Sequence, residues 1–81
     1  MTIRVLFFAS LRERLRTSEA AQDLENDATV ADLWSALCRK NPGLEEMTAS
    51  VSFAVNQEYV DRATVLHDGD EVALIPPVSG G

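Results

Sequence analysis

One segment of this chain has a full apolar face at helical spacing, and that face dictates what the rest must supply. Val30, Leu33, Trp34, Leu37 and Cys38 fall at i, i+3, i+4, i+7 and i+8, a single stripe. Thr29 opens the segment, Arg39 and Lys40 suit the negative end of its dipole, and Asn41-Pro42-Gly43 stops it. A helix of about three turns with one apolar side does not hold its shape alone in water. Its natural cover is a sheet, and the other apolar residues are patterned as strands. The 81 residues leave room for one domain and one core, and a hydrophobic share of 46% is enough to fill it.

The first strand is expected over Thr2 to Phe8, with Ile3, Val5 and Phe7 on one face and Arg4, Leu6 and Phe8 on the other. Ser10-Leu11-Arg12-Glu13 has the spacing of a capping box and predicts a short helix ending near Arg16. Thr17 to Asp27 is polar, with Ala20, Ala21 and Leu24 as its apolar residues, so a turn and a weak strand over Ala20 to Leu24 are expected there. Further strands are read at Ser52 to Val55 and Tyr59 to Val60, joined by a three-residue hairpin turn, Asn56-Gln57-Glu58. Leu66 to Asp70 is a tight connection in which Gly69 supplies the awkward φ, and Glu71 to Ile75 forms the last strand. The order is β, short α, weak β, long α, β, β, β. A mixed sheet wrapped across the long helix, with first and last strands side by side, satisfies it. That layout is α+β, the ubiquitin-like β-grasp, as a single domain over 1–81 with an extended tail over 76–81.

Charge and cysteine narrow the function classes. The net charge of −6 is placed entirely after Pro42, where seven acids face Arg62 alone. An acidic surface there repels nucleic acid and steers toward a basic partner; it serves equally to keep a small protein soluble. Cys38 has no partner for an intramolecular disulfide and no Cys/His cluster offers a metal cage, which favours a reducing, cytoplasmic home. No apolar run approaches the roughly 18 residues of a membrane span, and no secretory h-region follows Met1. A protein unprocessed at its front is expected, without membrane or nucleic-acid partners.

The written chain ends on Gly80-Gly81, after Pro76-Pro77-Val78-Ser79. Two glycines lack any Cβ and fit a channel too narrow for side chains, leaving the α-carboxylate of Gly81 as the functional group at the tip. The prolines hold φ near −65° and keep Ile75 to Val78 extended, away from the body. Six residues from Pro76 reach roughly 20 Å, deep enough for a partner's active site. A frayed, incidental end fits the same residues.

With these elements placed, the chain resembles the small-subunit family of molybdopterin synthase, the MoaD-type ubiquitin-like sulfur carriers. The matching stretches are Val5-Leu6-Phe7-Phe8-Ala9 with Arg12-Glu13, Ala54-Val55-Asn56-Gln57, Asp68-Gly69-Asp70-Glu71-Val72-Ala73 and Pro76-Pro77-Val78-Ser79-Gly80-Gly81. Ser18 to Asp27 and Pro42 to Ser50 share little of it. The resemblance implies that an adenylating enzyme of the ubiquitin-activating type activates Gly81 with ATP and that a sulfur donor converts it to a thiocarboxylate. The tail then enters the large synthase subunit, in a heterotetramer of two carriers and two large subunits, and the sulfur attacks a cyclic pterin precursor to form the molybdopterin dithiolene. It implies too that ATP, zinc and the pterin bind to partners, with no cofactor on this chain and no enzyme activity of its own.

The residues themselves agree with a carrier. No Ser/His/Asp or Cys/His spacing marks a nucleophile, and no Gly-rich loop precedes a helix. His67 beside Asp68 reads as a polar turn, while Cys38 and Trp34 read as core on the helix stripe. Phe8, Tyr59 and Ile75 are expected on the sheet face away from the helix, and family likeness implies a docking patch there; packing behind a loop would account for them as well. Arg12 is a candidate partner contact or a solvated helix residue. Sulfur supply to another pathway, for thiamine or an amino acid, and ubiquitin-like conjugation through Gly81 use the same tail and stay open beside the leading reading. So does a plain β-grasp binding module.

Overall fold

The structure, a computed structural model, describes residues 1–77. Alternation of β-branched and aromatic residues forms β1 over Thr2–Phe7, and its inward residues Ile3, Val5 and Phe7 are buried as the pattern requires. The chain turns at once into α1, Ala9–Leu15. β2, Glu19–Asp23, returns antiparallel to β1, one residue earlier than the sequence placed it. The weak strand therefore forms, with Thr2 opposite Asp23 and Leu6 opposite Glu19.

The predicted main helix is α2, Val30–Lys40, with Thr29 as N-cap. The Thr29 hydroxyl accepts from the Asp32 N–H and the Asp32 carboxylate accepts from the Thr29 N–H, a complete capping box. Val30, Leu33, Trp34 and Leu37 are buried as expected, each worth about 1.5–3 kcal/mol relative to exposure. Trp34 meets Phe53 edge-on at 5.9 Å and donates its indole N–H to the Thr48 hydroxyl at 2.8 Å. At the other end the Asn41 side chain donates to the Leu37 carbonyl. A 3-10 helix over Leu44–Met47, absent from the sequence reading, drives Leu44 into the core.

β3 (Ser52–Val55), β4 (Glu58–Val60) and β5 (Glu71–Ile75) complete a five-stranded sheet in the order β2-β1-β5-β3-β4. First and last strands lie side by side, as the pattern demanded, and run parallel, with Val5 opposite Val72. β3 is antiparallel to both β4 and β5. The core is the layer between this sheet and α2, filled by Ile3, Val5, Phe53, Val72 and Leu74 from the sheet side.

Two local expectations fail. Ser10 and Glu13 form no capping box, because α1 begins two residues earlier than Ser10 as N-cap would place it, with Phe8 as an N-cap that has no side-chain bond. Complete burial of Leu11 sets the phase of this helix, and the Leu11 N–H is satisfied by the Phe8 carbonyl at 3.0 Å. The hairpin turn is two residues long rather than three. Asn56 and Gln57 both take positive φ, 49° and 74°, the pairing of a type I′ turn, and Glu58 is thereby freed to pair with Val55.

A bare outer sheet face as candidate docking site

Because side chains alternate along a strand, complete burial of Val72 and Leu74 under α2 obliges Ala73 and Ile75 to face the other way. Strand register then assembles a row across the outer face: Tyr59 opposite Ala54, Ala54 opposite Ala73, and Ala73 opposite Leu6. Beside it Ile75 lies opposite Ser52, and Phe8 sits one residue past the Phe7–Leu74 pair. Tyr59 is 73% exposed and Phe8 45%, far above what large apolar residues show in a core. The sequence reading placed Phe8, Tyr59 and Ile75 here; strand register puts Tyr59 and Ile75 on this face, and Phe8, exposed, follows β1 directly as the N-cap of α1. That reading set Leu6 on this face without counting it in the patch, and it missed Ala54, which is buried between its neighbours, and Ala73; alanine has no signal of its own, and strand order is needed to bring these three together.

One flank of the face is polar. The Arg4 guanidinium bonds Glu19 at 2.7 Å and Glu71 at 3.1 Å, and its proton is held more tightly than usual by the Glu19 hydrogen bond and charge. These pairs are exposed and add little stability; they fix a charged border beside the apolar row. Arg12 lies exposed on α1, which follows Phe8 directly, and forms no salt bridge among the described residues. Since β1 and β5 run parallel, α1 and the exit of β5 sit at the same end of the sheet.

The exit itself differs from the expectation. Ile75 is still paired with Ser52, and Pro76 is buried, so the chain stays on the body through Pro76 and first stands exposed at Pro77. A tail departing from Ile75 or Pro76 is corrected accordingly. Gly80 and Gly81, the expected reactive end, lie outside the described residues.

The remaining chemistry-bearing residues have structural duties. His67 is exposed, and its backbone N–H donates to Asp70 at 2.8 Å, while its neighbour Asp68 accepts from the Thr2 N–H at 2.7 Å, the polar turn that was expected. Asp70 also accepts from the Asn56 side chain, so this turn ties β1, the hairpin and β5 together. Cys38 is half-buried rather than fully so; burial, with the charge of Glu45 adding, pushes its thiol above the ordinary range, the opposite of an activated nucleophile. Arg62 caps the Phe53 ring at 5.1 Å and donates to the Thr48 carbonyl. Among the described residues no three His, Cys, Asp or Glu side chains come together to hold a metal ion, and no helix is long and apolar enough to cross a membrane.

A five-stranded mixed sheet over one main helix, with a bare outer face at the end where the chain exits, defines a ubiquitin-like β-grasp protein. Residues 5–81 match the family model described as the ThiS family, and the chain belongs to that family. A Chlamydomonas reinhardtii protein named molybdopterin synthase sulfur carrier subunit is 42% identical, with 100% of both chains covered. Among solved structures, SAMP1 from Haloferax volcanii, a small archaeal modifier protein, matches with a TM-score of 0.89 at 31% identity over 100% of both chains. A chain in the complex of subunits 1 and 2 of the molybdopterin-converting factor from Helicobacter pylori matches with a TM-score of 0.70 at 30% identity, again over 100% of both.

Proposed function

We propose that this chain is the sulfur-carrier small subunit of a molybdopterin synthase. The observation that supports this best is the end-to-end match, at 42% identity, to a sulfur carrier subunit of that enzyme. A free α-carboxylate has a pKa of about 3.3–3.7, so at neutral pH Gly81 is ionised and a poor acyl donor. Adenylation by an activating enzyme, at the expense of ATP, makes the carbonyl electrophilic. Sulfur from a donor then forms the C–S bond as the bond to AMP breaks, leaving a thiocarboxylate. Inside the large subunit that sulfur attacks the cyclic pterin precursor, building the dithiolene; two carriers' worth of sulfur serve each product.

In this scheme Pro77, Gly80 and Gly81 form the inserted arm, and Pro76 anchors it to the body. Phe8, Tyr59 and Ile75, with Leu6 and Ala73, dock on the large subunit and on the activating enzyme in turn, and Arg12 meets a carboxylate at the rim. The assembly is two carriers with two large subunits, in the cytoplasm. ATP, zinc and pterin are bound by the partners, and this chain catalyses nothing by itself. In a reconstituted system with the large subunit, adding one alanine after Gly81 abolishes sulfur transfer; undiminished transfer would refute the proposal.

A second reading, attachment of Gly81 to protein amines, is favoured by the likeness to a small archaeal modifier protein. It predicts high-mass adducts in cell extracts that vanish when Gly81 is deleted.

A further inference from the structure

An activated carboxyl end is a hazard to any amine it meets, including amines on other copies of the same chain. Aminolysis needs a neutral amine to attack the carbonyl: the C–N bond forms, the bond to the leaving AMP or thiol breaks, and the amine releases its proton to water. Of the seven cationic side chains here, Lys40 is the one amine and the other six are arginine; the α-amino group of Met1, the other amine, donates to the Leu24 carbonyl at 2.8 Å. Guanidinium groups stay protonated at any ordinary pH and do not accept acyl groups. The exposed cations on α1 and at the end of α2, namely Arg12, Arg14, Arg16 and Arg39, are thus inert toward an acyl donor.

Lys40 is restrained. Its ammonium donates to Oε1 of Gln22 at 2.9 Å, across from β2. Gln22 is 8% exposed and is the buried polar residue of the described core. Its amide Nε2 donates to the Asp23 carbonyl at 3.0 Å, which fixes the direction in which Oε1 points. A buried carbonyl oxygen aimed in this way strongly favours keeping its donor. Lys40 therefore reaches along the α2–β2 seam to Gln22, although the residue is exposed.

We infer that the body of this carrier is built as a poor acyl acceptor, with arginine at the free cationic positions and Gln22 holding the single lysine side chain, so that activated copies are not consumed on one another. This rests on the proposed activation of Gly81 and adds a property of the body that the sulfur-carrier reading does not itself require.

The test uses the full chain prepared with a carboxyl-terminal thioester, mixed with unmodified chain as acceptor. Adducts are followed by intact mass and assigned by peptide mapping. In the wild type, acylation of Lys40 is expected to be slower than that of an unrestrained lysine by roughly fivefold to tenfold, the effect of one hydrogen bond. Gln22→Leu should raise Lys40 acylation by that factor. Arg39→Lys, which leaves Gln22 in place, should create a second acceptor that outruns Lys40 and serves as the comparison if Gln22→Leu fails to fold. Equal rates at Lys40 and at the lysine introduced at position 39 would overturn the inference, as would a well-folded Gln22→Leu variant with unchanged Lys40 reactivity. Sulfur transfer to the pterin precursor is measured separately: its absence, with Lys40 still unreactive, would remove the functional reading and leave the acceptor result standing.

Discussion

The two faces of one sheet have been put to opposite uses. On β5, Val72 and Leu74 are fully buried against α2, while Ala73 and Ile75, in the same five residues, remain partly open on the other side. On β1 the same division separates Ile3, Val5 and Phe7 from Arg4 and Leu6. Since burial drives folding in proportion to apolar area, the inner face accounts for most of the stability. The outer face keeps apolar area unspent. Its centre is formed by Ala54 and Ala73, between Tyr59 and Leu6.

The sharpest break of this comparison is an inner-face truncation. Leu74→Ala is expected to cost about 2–5 kcal/mol in urea or thermal unfolding, because the cavity lies under α2 and little can collapse into it. Phe8→Ser, on the outer side, is expected to stay within about 0.5 kcal/mol of the wild type in unfolding. The same substitution should weaken association with the large subunit by about 2 kcal/mol, measured by calorimetry. A large stability loss for Phe8→Ser would mean that the two faces are not separate.

Cys38 gives the smallest effect, at the border of the inner face. Its folded thiol is held above its ordinary range by burial first and by Glu45 second. The fold thus favours the neutral form, and this contribution is complete below the unfolded thiol's pKa and is lost as pH rises through the folded value. Alkylation of Cys38 at pH 8–9 should accordingly be slower in the folded chain than in the unfolded one. Equal rates would place the thiol outside the packed layer.

The inner face was readable from sequence because its signals are local and periodic: the stripe from Val30 to Leu37 and the alternation from Ile3 to Phe7 each specify a face without reference to the rest. The misreadings arose where a distant contact overrode a local motif. Ser10 and Glu13 have capping-box spacing, yet Leu11 had to reach the core, which shifted the helix start to Ala9. Gln57 adopts φ 74° without being glycine, so the two-residue turn left no compositional mark. The 3-10 helix at Leu44–Met47 is too short for periodicity to reveal. The outer face was legible only in part: alternation put Leu6 on it, but Ala54 and Ala73 join Leu6 through the β1-β5-β3 order, a property of the whole sheet.

The central claim is that the last carbonyl of this chain bears sulfur, with the β-grasp body as its handle. Intact-mass measurement on protein isolated from its native cells, followed by mapping of the final peptide, tests it directly. The account predicts a population of free carrier in which one oxygen of the Gly81 carboxylate has been replaced by sulfur. Contradiction would come from cells actively making molybdopterin in which Gly81 is found solely as an unmodified carboxylate or joined to lysine.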